Sequence, residues 1–118
     1  GILAQAFENV IRNAVHYTAD NTAVTVILTT AQDQLNIEIT DNGAGIPEKM
    51  LDKIFAPFFR VADARDRQSG GTGIGLAIAK SAILHHRGTI MARNNSNGGL
   101  IVQIVLPLQS ATEEFSVG

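Results

Sequence analysis

Residues 35–47 read Leu35-Asn36-Ile37-Glu38-Ile39-Thr40-Asp41-Asn42-Gly43-Ala44-Gly45-Ile46-Pro47. Leu35, Ile37 and Ile39 alternate with Asn36, Glu38 and Thr40, the period-two pattern of a strand with one buried face. The pattern stops at Asp41, because the Gly- and Pro-rich run that follows is unable to continue a strand. Asp41 keeps the parity of the apolar set, so its carboxylate is expected to turn inward, and a buried carboxylate needs a partner. The competing reading is a simple Asp-Asn-Gly turn, with the aspartate bonded to its own backbone.

Upstream, Ala23 to Thr29 reads as a β-branched, half-buried strand. The short polar link Thr30–Gln34 predicts that the two strands pair as a hairpin. Before them, Leu3, Ala6, Phe7, Val10, Ile11 and Ala14 recur at helical spacing, with Glu8 and Arg12 as an i,i+4 pair. No capping residue precedes Leu3, so this helix reads as one entered from further upstream.

Downstream, Pro47 suits the first turn of a short helix running through about Lys53. Arg60 to Gly71 has no usable periodicity, which in a compact domain points to a functional lid or to disorder. A helix is expected from Ile74 to His86, apolar almost all round and so well buried. Strands follow at Thr89–Asn94 and Leu100–Leu106, joined by a turn over residues 95–99 and ended by Pro107. The polar tail 109–118 is expected to be disordered. Helices interleaved with hairpin-like strands predict an α/β two-layer sandwich over residues 1–108: a mixed, mainly antiparallel sheet covered by helices on one face.

Composition sets the outer limits. A chain of 118 residues with 45% hydrophobic content suits one domain with a real core. A net charge of −2 argues against an electrostatic binder of nucleic acid or membrane surface. The lack of cysteine excludes disulfides and thiolate metal sites, and no apolar run approaches the roughly 20 residues of a membrane span. The uneven feature is glycine: six of the 11 lie between Gly43 and Gly75.

Four of them stand in Gly70-Gly71-Thr72-Gly73-Ile74-Gly75-Leu76, just before the second helix. Backbone N–H groups there and the helix N-terminus can converge on an anion. Leu76-Ala77 stands where a P-loop needs Lys and Ser/Thr, and no strand precedes the run as a dinucleotide fingerprint requires. A flexible loop with close helix packing is the competing reading. A helix N-terminus contributes roughly 0.3–1 kcal/mol, up to about 2, whereas micromolar-to-millimolar nucleotide affinity needs about 4–8 kcal/mol. A nucleotide therefore needs a base site elsewhere, and Asp41 is the candidate: an adenine exocyclic amine would give it a charge-assisted bond of roughly 1.5–3 kcal/mol. Gly43 and Gly45 would let backbone approach a flat base. On the first helix, Asn9 and Asn13 stand one turn apart on one face. Such a side-chain carbonyl can ligate Mg²⁺ beside phosphate oxygens, or the pair is simply a solvated face.

Together these segments resemble, in order and spacing, the ATP-binding catalytic domain of sensor histidine kinases. That domain has the Bergerat-type fold shared with gyrase, Hsp90 and MutL. The resemblance covers nearly all of residues 3–108. Glu8-Asn9-Val10-Ile11-Arg12-Asn13-Ala14-Val15-His16-Tyr17 is similar to the N box, and residues 41–47 to the first glycine box. Phe55-Ala56-Pro57-Phe58-Phe59-Arg60 is similar to the F box, and Gly71-Thr72-Gly73-Ile74-Gly75-Leu76-Ala77-Ile78 to the second glycine box. Residues 64–73 and His86-Arg87-Gly88 particularly resemble Cpx-type envelope-stress kinases.

The resemblance implies ATP and Mg²⁺ as ligands. It makes Asp41 the adenine-reading carboxylate, with Gly43, Gly45 and Ile46 beside the base and Tyr17 against adenine or ribose. Asn13 becomes the Mg²⁺ ligand, with Asn9 and His16 near the phosphates and Arg60 approaching the γ-phosphate. Residues 61–71 become the lid, and Gly71, Thr72, Gly73, Gly75 and Leu76 wrap the phosphates. The F-box phenylalanines are either part of this site or plain core.

Two departures bear on chemistry. Water-activating ATPases of this fold carry glutamate four residues before the metal-binding asparagine. Here that residue is Asn9, and Glu8 is rotated about 100° around the helix. The chain thus leans towards phosphoryl transfer to a protein. At His16, related kinases often carry lysine; histidine changes charge near neutral pH, so nucleotide affinity is expected to rise on mild acidification.

None of His16, His85 and His86 has the family's acceptor context. The resemblance places the phosphoacceptor on a separate dimerisation domain, with a response regulator receiver domain as the next partner. The family's usual first strand is also not seen before Leu3, which implies reduced stability. The domain is expected to be cytoplasmic and monomeric in isolation, without nucleic-acid or direct membrane contact. The alternatives kept open are an ATPase or serine kinase of the same fold and a regulatory nucleotide-binding module.

Overall fold

A computed structural model describes residues 1–56 and 74–108 of the protein. Helix α1 spans Ile2–Tyr17, strands β1 and β2 span Thr25–Ala31 and Gln34–Thr40, helix α2 spans Ile74–His85, and strands β3 and β4 span Thr89–Asn94 and Leu100–Pro107. The strands form one four-stranded sheet in the order β1-β2-β4-β3. Every pairing among the described residues is antiparallel, so the parallel component expected of a mixed sheet is not seen there.

Alternation along the strands decides which face is covered. Ile37 and Ile39 of β2, Ile90 of β3, and Leu100, Val102, Ile104 and Leu106 of β4 are buried against Ala6, Val10 and Ala14 of α1 and Leu76, Ala79, Ala82 and Ile83 of α2. The opposite face carries a polar ladder in which Arg93 donates to Glu38 and Gln103, and Gln103 donates to Asn36. This is the expected two-layer α/β sandwich with helices on one face.

Three local expectations need correction. The strand read over 23–29 as half-buried is exposed along its whole length as β1. It lies at the sheet edge, with α1 against β2 and α2 against β3. Helix α2 is not buried all round: Ile78 and Leu84 are 48% and 53% exposed, because an outer-layer helix buries only the side facing its neighbours. The helix expected after Pro47 is two separate 3-10 turns, Glu48–Met50 and Lys53–Phe55. Neither has a side-chain cap, and Ile54 and Phe55 are buried in the core.

The turns are tighter than their sequences advertise. Ala31 pairs with Gln34, leaving only Gln32 and Asp33 to turn the chain, both at positive φ (53° and 62°). That is the backbone twist of a type I′ hairpin, usually supplied by Asn-Gly. Helix α2 ends with Arg87 at φ 64° and Gly88 N–H donating to the Ile83 carbonyl at 2.8 Å, a Schellman-type stop. The expected tail 109–118 lies outside the described residues.

Candidate functional site

Asp41 sits where β2 leaves the sheet and is the one buried charged residue among the described residues, 3% exposed. Its Oδ1 accepts the Gly43 N–H at 2.9 Å and the Leu100 N–H at 3.1 Å. The main chain is also paired, Asp41 N–H donating to the Leu100 carbonyl at 3.0 Å. The Asp-Asn-Gly turn and the inward carboxylate, set out as alternatives above, therefore coexist: Oδ1 makes the turn. Among the described residues no hydrogen bond reaches Oδ2. A desolvated carboxylate oxygen without a donor is costly, and a hydrogen-bond donor on a ligand would complete it.

The loop after Asp41 is held against the end of α1. Asn42 N–H donates to Thr18 Oγ1 at 2.9 Å, Asn42 Nδ2 donates to the Ala23 carbonyl at 2.7 Å, and the Asn42 carbonyl accepts the Ala19 N–H at 3.3 Å. A Cβ on Gly43 would stand 2.2 Å from the Tyr17 carbonyl oxygen, so Gly43 is required by contact with the helix end, quite apart from any ligand. Gly45 has φ +78°, a left-handed conformation that glycine adopts without strain. Ile46 packs against the core as a half-buried residue.

On α1, Asn9, Asn13 and His16 are half-buried. They flank the buried line of Ala6, Val10 and Ala14, which disfavours a plain solvated face. His16 lies edge-on to Tyr17, ring centroids 4.6 Å apart and planes at 89°. Tyr17 is 37% exposed. Glu8 points elsewhere, in an ion pair with Arg12 at 2.5 Å whose side chains are 66% and 70% exposed. It is thereby turned out to solvent, as the helix rotation predicts.

The structure thus brings together the end of the N-box helix and the first glycine box. Leu76 is 7% exposed in the core, which leaves only its main chain for a ligand, and Gly75 lies in the first turn of α2. Arg60, Gly71, Thr72, Gly73, Phe58, Phe59 and the lid at 61–71 lie outside the described residues. Phe55 is core, with Lys80 Nζ 5.6 Å from its ring centroid. No group of three or more His, Cys, Asp or Glu side chains gathers among the described residues, so the metal expectation rests on Asn13, a neutral oxygen ligand suited to Mg²⁺ that arrives with phosphate. No described helix is long and apolar enough to cross a membrane.

Residues that sequence reasoning did not single out also build the site: Thr18, Asn42, Asn94 and Gly99. Asn42 and Gly99 carried a local signal, as members of the Asp-Asn-Gly turn and of the turn over 95–99. The others act across long sequence separations.

Residues 2–110 match the family described as histidine kinase-, DNA gyrase B- and HSP90-like ATPases. The chain belongs to that family. It is 43% identical over 106 residues to the sensor histidine kinase CpxA of Escherichia coli K12, covering 90% of this chain and 23% of the relative. It is 41% identical over 109 residues to the sensor protein kinase WalK of Staphylococcus aureus, covering 91% of this chain and 26% of the relative. The chain therefore spans about a quarter of the length of these relatives. Among solved structures, a mycobacterial sensor histidine kinase, MprB, superposes with TM-score 0.78 at 32% identity, covering 90% of this chain and 70% of that one. The catalytic domain of histidine kinase ThkA gives 0.76 at 28%, covering 90% and 66%.

Proposed function

We propose that the chain is the ATP-binding catalytic domain of a two-component sensor histidine kinase of the Cpx type. In this reading it binds Mg·ATP and delivers the γ-phosphoryl group to a histidine on a separate dimerisation domain, for relay to a receiver domain. The observation that carries the proposal is Asp41: a buried carboxylate with Oδ1 fixed by two main-chain N–H groups and, among the described residues, no donor to Oδ2. The matching family and the kinase relatives support it.

In the transfer, the bond from the γ-phosphorus to the bridging oxygen breaks, a bond to an imidazole nitrogen forms, and ADP leaves. Phosphoryl transfer asks mainly for positioning and charge neutralisation. Asp41 orients the base, and the Asn13 carbonyl oxygen holds the metal. Mg²⁺ supplies neutralisation of phosphate charge. Asn9 is an amide and accepts no proton at neutral pH, while Glu8 is engaged with Arg12 on the exposed side of α1. On α1 that arrangement leaves no carboxylate base beside Asn13, which favours transfer over hydrolysis. We place the domain in the cytoplasm, as a monomer when isolated, within a parent chain that is an inner-membrane sensor.

The test is to combine the chain with a separately prepared dimerisation domain and labelled ATP. Acid-labile, base-stable label on that partner is the expected result. Nucleotide binding with no transfer favours the regulatory module, and rapid phosphate release without a partner favours the ATPase.

A further inference from the structure

The side chain of Asn94, the last residue of β3, makes two bonds to the main chain of one residue in the first glycine box. Ile46 N–H donates to Asn94 Oδ1 at 2.9 Å, and Asn94 Nδ2 donates to the Ile46 carbonyl at 2.6 Å. A carboxamide supplies one acceptor and one donor side by side, so it pairs with a residue's backbone as a neighbouring strand would. The two residues are 48 positions apart. A Cβ on Gly45 would stand 2.7 Å from Asn94 Oδ1, so the glycine clears the way for the amide.

The same turn grips the other end of the loop. Asn95 N–H donates to the Gly99 carbonyl at 2.9 Å, which closes the turn between β3 and β4. Leu100, the next residue, gives its N–H to Asp41 Oδ1 and accepts the Asp41 N–H. Gly99 has φ +91°, and a Cβ there would lie 2.0 Å from the Asp41 carbonyl oxygen. One hairpin turn therefore holds Asp41 through Leu100 and Ile46 through Asn94, tying both ends of the loop to a single element.

We propose that Asn94 is a positioning residue for base recognition. It touches no ligand; it fixes the main chain of residues 45–46 relative to the Asp41 carboxylate, so that an adenine ring meets the loop and the carboxylate in one geometry. The inference rests on the reading of Asp41 as the adenine-recognising group.

The experiment measures dissociation constants for ATP and for inosine triphosphate, in which a carbonyl replaces the exocyclic amine. It uses the whole protein as wild type, Asn94→Ala, Asn94→Asp and Asp41→Asn, each under conditions where circular dichroism shows it folded. Loss of both Asn94 bonds is expected to weaken ATP binding about tenfold and to shrink the preference for ATP over inosine triphosphate. Asn94→Asp keeps the acceptor for Ile46 N–H and is expected to fall between Asn94→Ala and wild type. It also serves if the alanine variant does not fold. A purely structural asparagine would lower stability and leave the ATP preference of the folded protein unchanged. An unchanged preference in both Asn94 variants, with Asp41→Asn reducing it, overturns the role of Asn94 alone. An unchanged preference in Asp41→Asn as well overturns the base site itself.

Discussion

Asn13 and Glu8 show how much chemistry a rotation around one helix decides. Asn13 flanks the buried line of α1 and is half-buried, while Glu8 faces solvent with Arg12. If Asn13 is the metal ligand, Asn13→Ala removes the gain in ATP affinity that Mg²⁺ confers and leaves Mg²⁺-free ADP binding near the wild-type value. Calorimetry with and without chelator checks this, and equal Mg²⁺ dependence in both proteins would remove Asn13 from the role. Glu8→Gln is expected to leave nucleotide affinity and phosphotransfer unchanged and to cost no more than about 0.5 kcal/mol, since an exposed i,i+4 pair contributes about 0.3–0.5 kcal/mol. A large loss of activity in that variant would mean that Glu8 leaves Arg12 to act at the site. At this scale the sequence was legible where chemistry follows local parity: Asp41 is buried because it continues the face of Ile37 and Ile39. It was silent on the tasks of Asn94 and Gly99, which are set by residues they meet only after the sheet has formed.

The elements were legible wherever one face is buried. The alternation in β2 and β4 is enforced by the core, because a one-residue slip would turn every apolar side chain outward. Strand β1 carries the same kind of residues, yet Val26 and Leu28 are 38% and 60% exposed although they stand opposite Ile39 and Ile37. Apolar composition reports a capacity for burial, and the sheet edge decides whether it is used. The turn between β1 and β2 was the least legible, since Gln32-Asp33 lacks the Asn-Gly signature, whereas the turn at 95–99 lies where its residues predicted. Substituting Asn-Gly at 32–33 relieves two left-handed non-glycine or poorly suited residues and is expected to raise unfolding free energy by about 0.5–2 kcal/mol. Urea unfolding should show this as a higher midpoint at unchanged slope. A lower midpoint would mean that the hairpin tolerates its present residues for a reason outside backbone conformation.

Across the whole molecule, the carboxylate is a meeting point for distant segments. Asn42 ties the loop to the end of α1, Leu100 ties Asp41 to β4, and Asn94 ties Ile46 to β3. A ligand that completes Asp41 thus acts on a junction of both layers, and its binding energy should appear as global stability. At 100 times its dissociation constant a ligand adds about 2.7 kcal/mol, which for a domain of this size is a rise in Tm of about 10 °C. A thermal scan with saturating Mg·ATP is expected to show one transition displaced by that amount. Asp41→Asn, at the same nucleotide concentration, should lose most of the displacement, because its weakened affinity no longer saturates the site. An equal displacement in the variant would mean that nucleotide stabilises the fold from some other surface. Two transitions, only one of which moves, would mean that the helical layer and the sheet are coupled less tightly than these hydrogen bonds require.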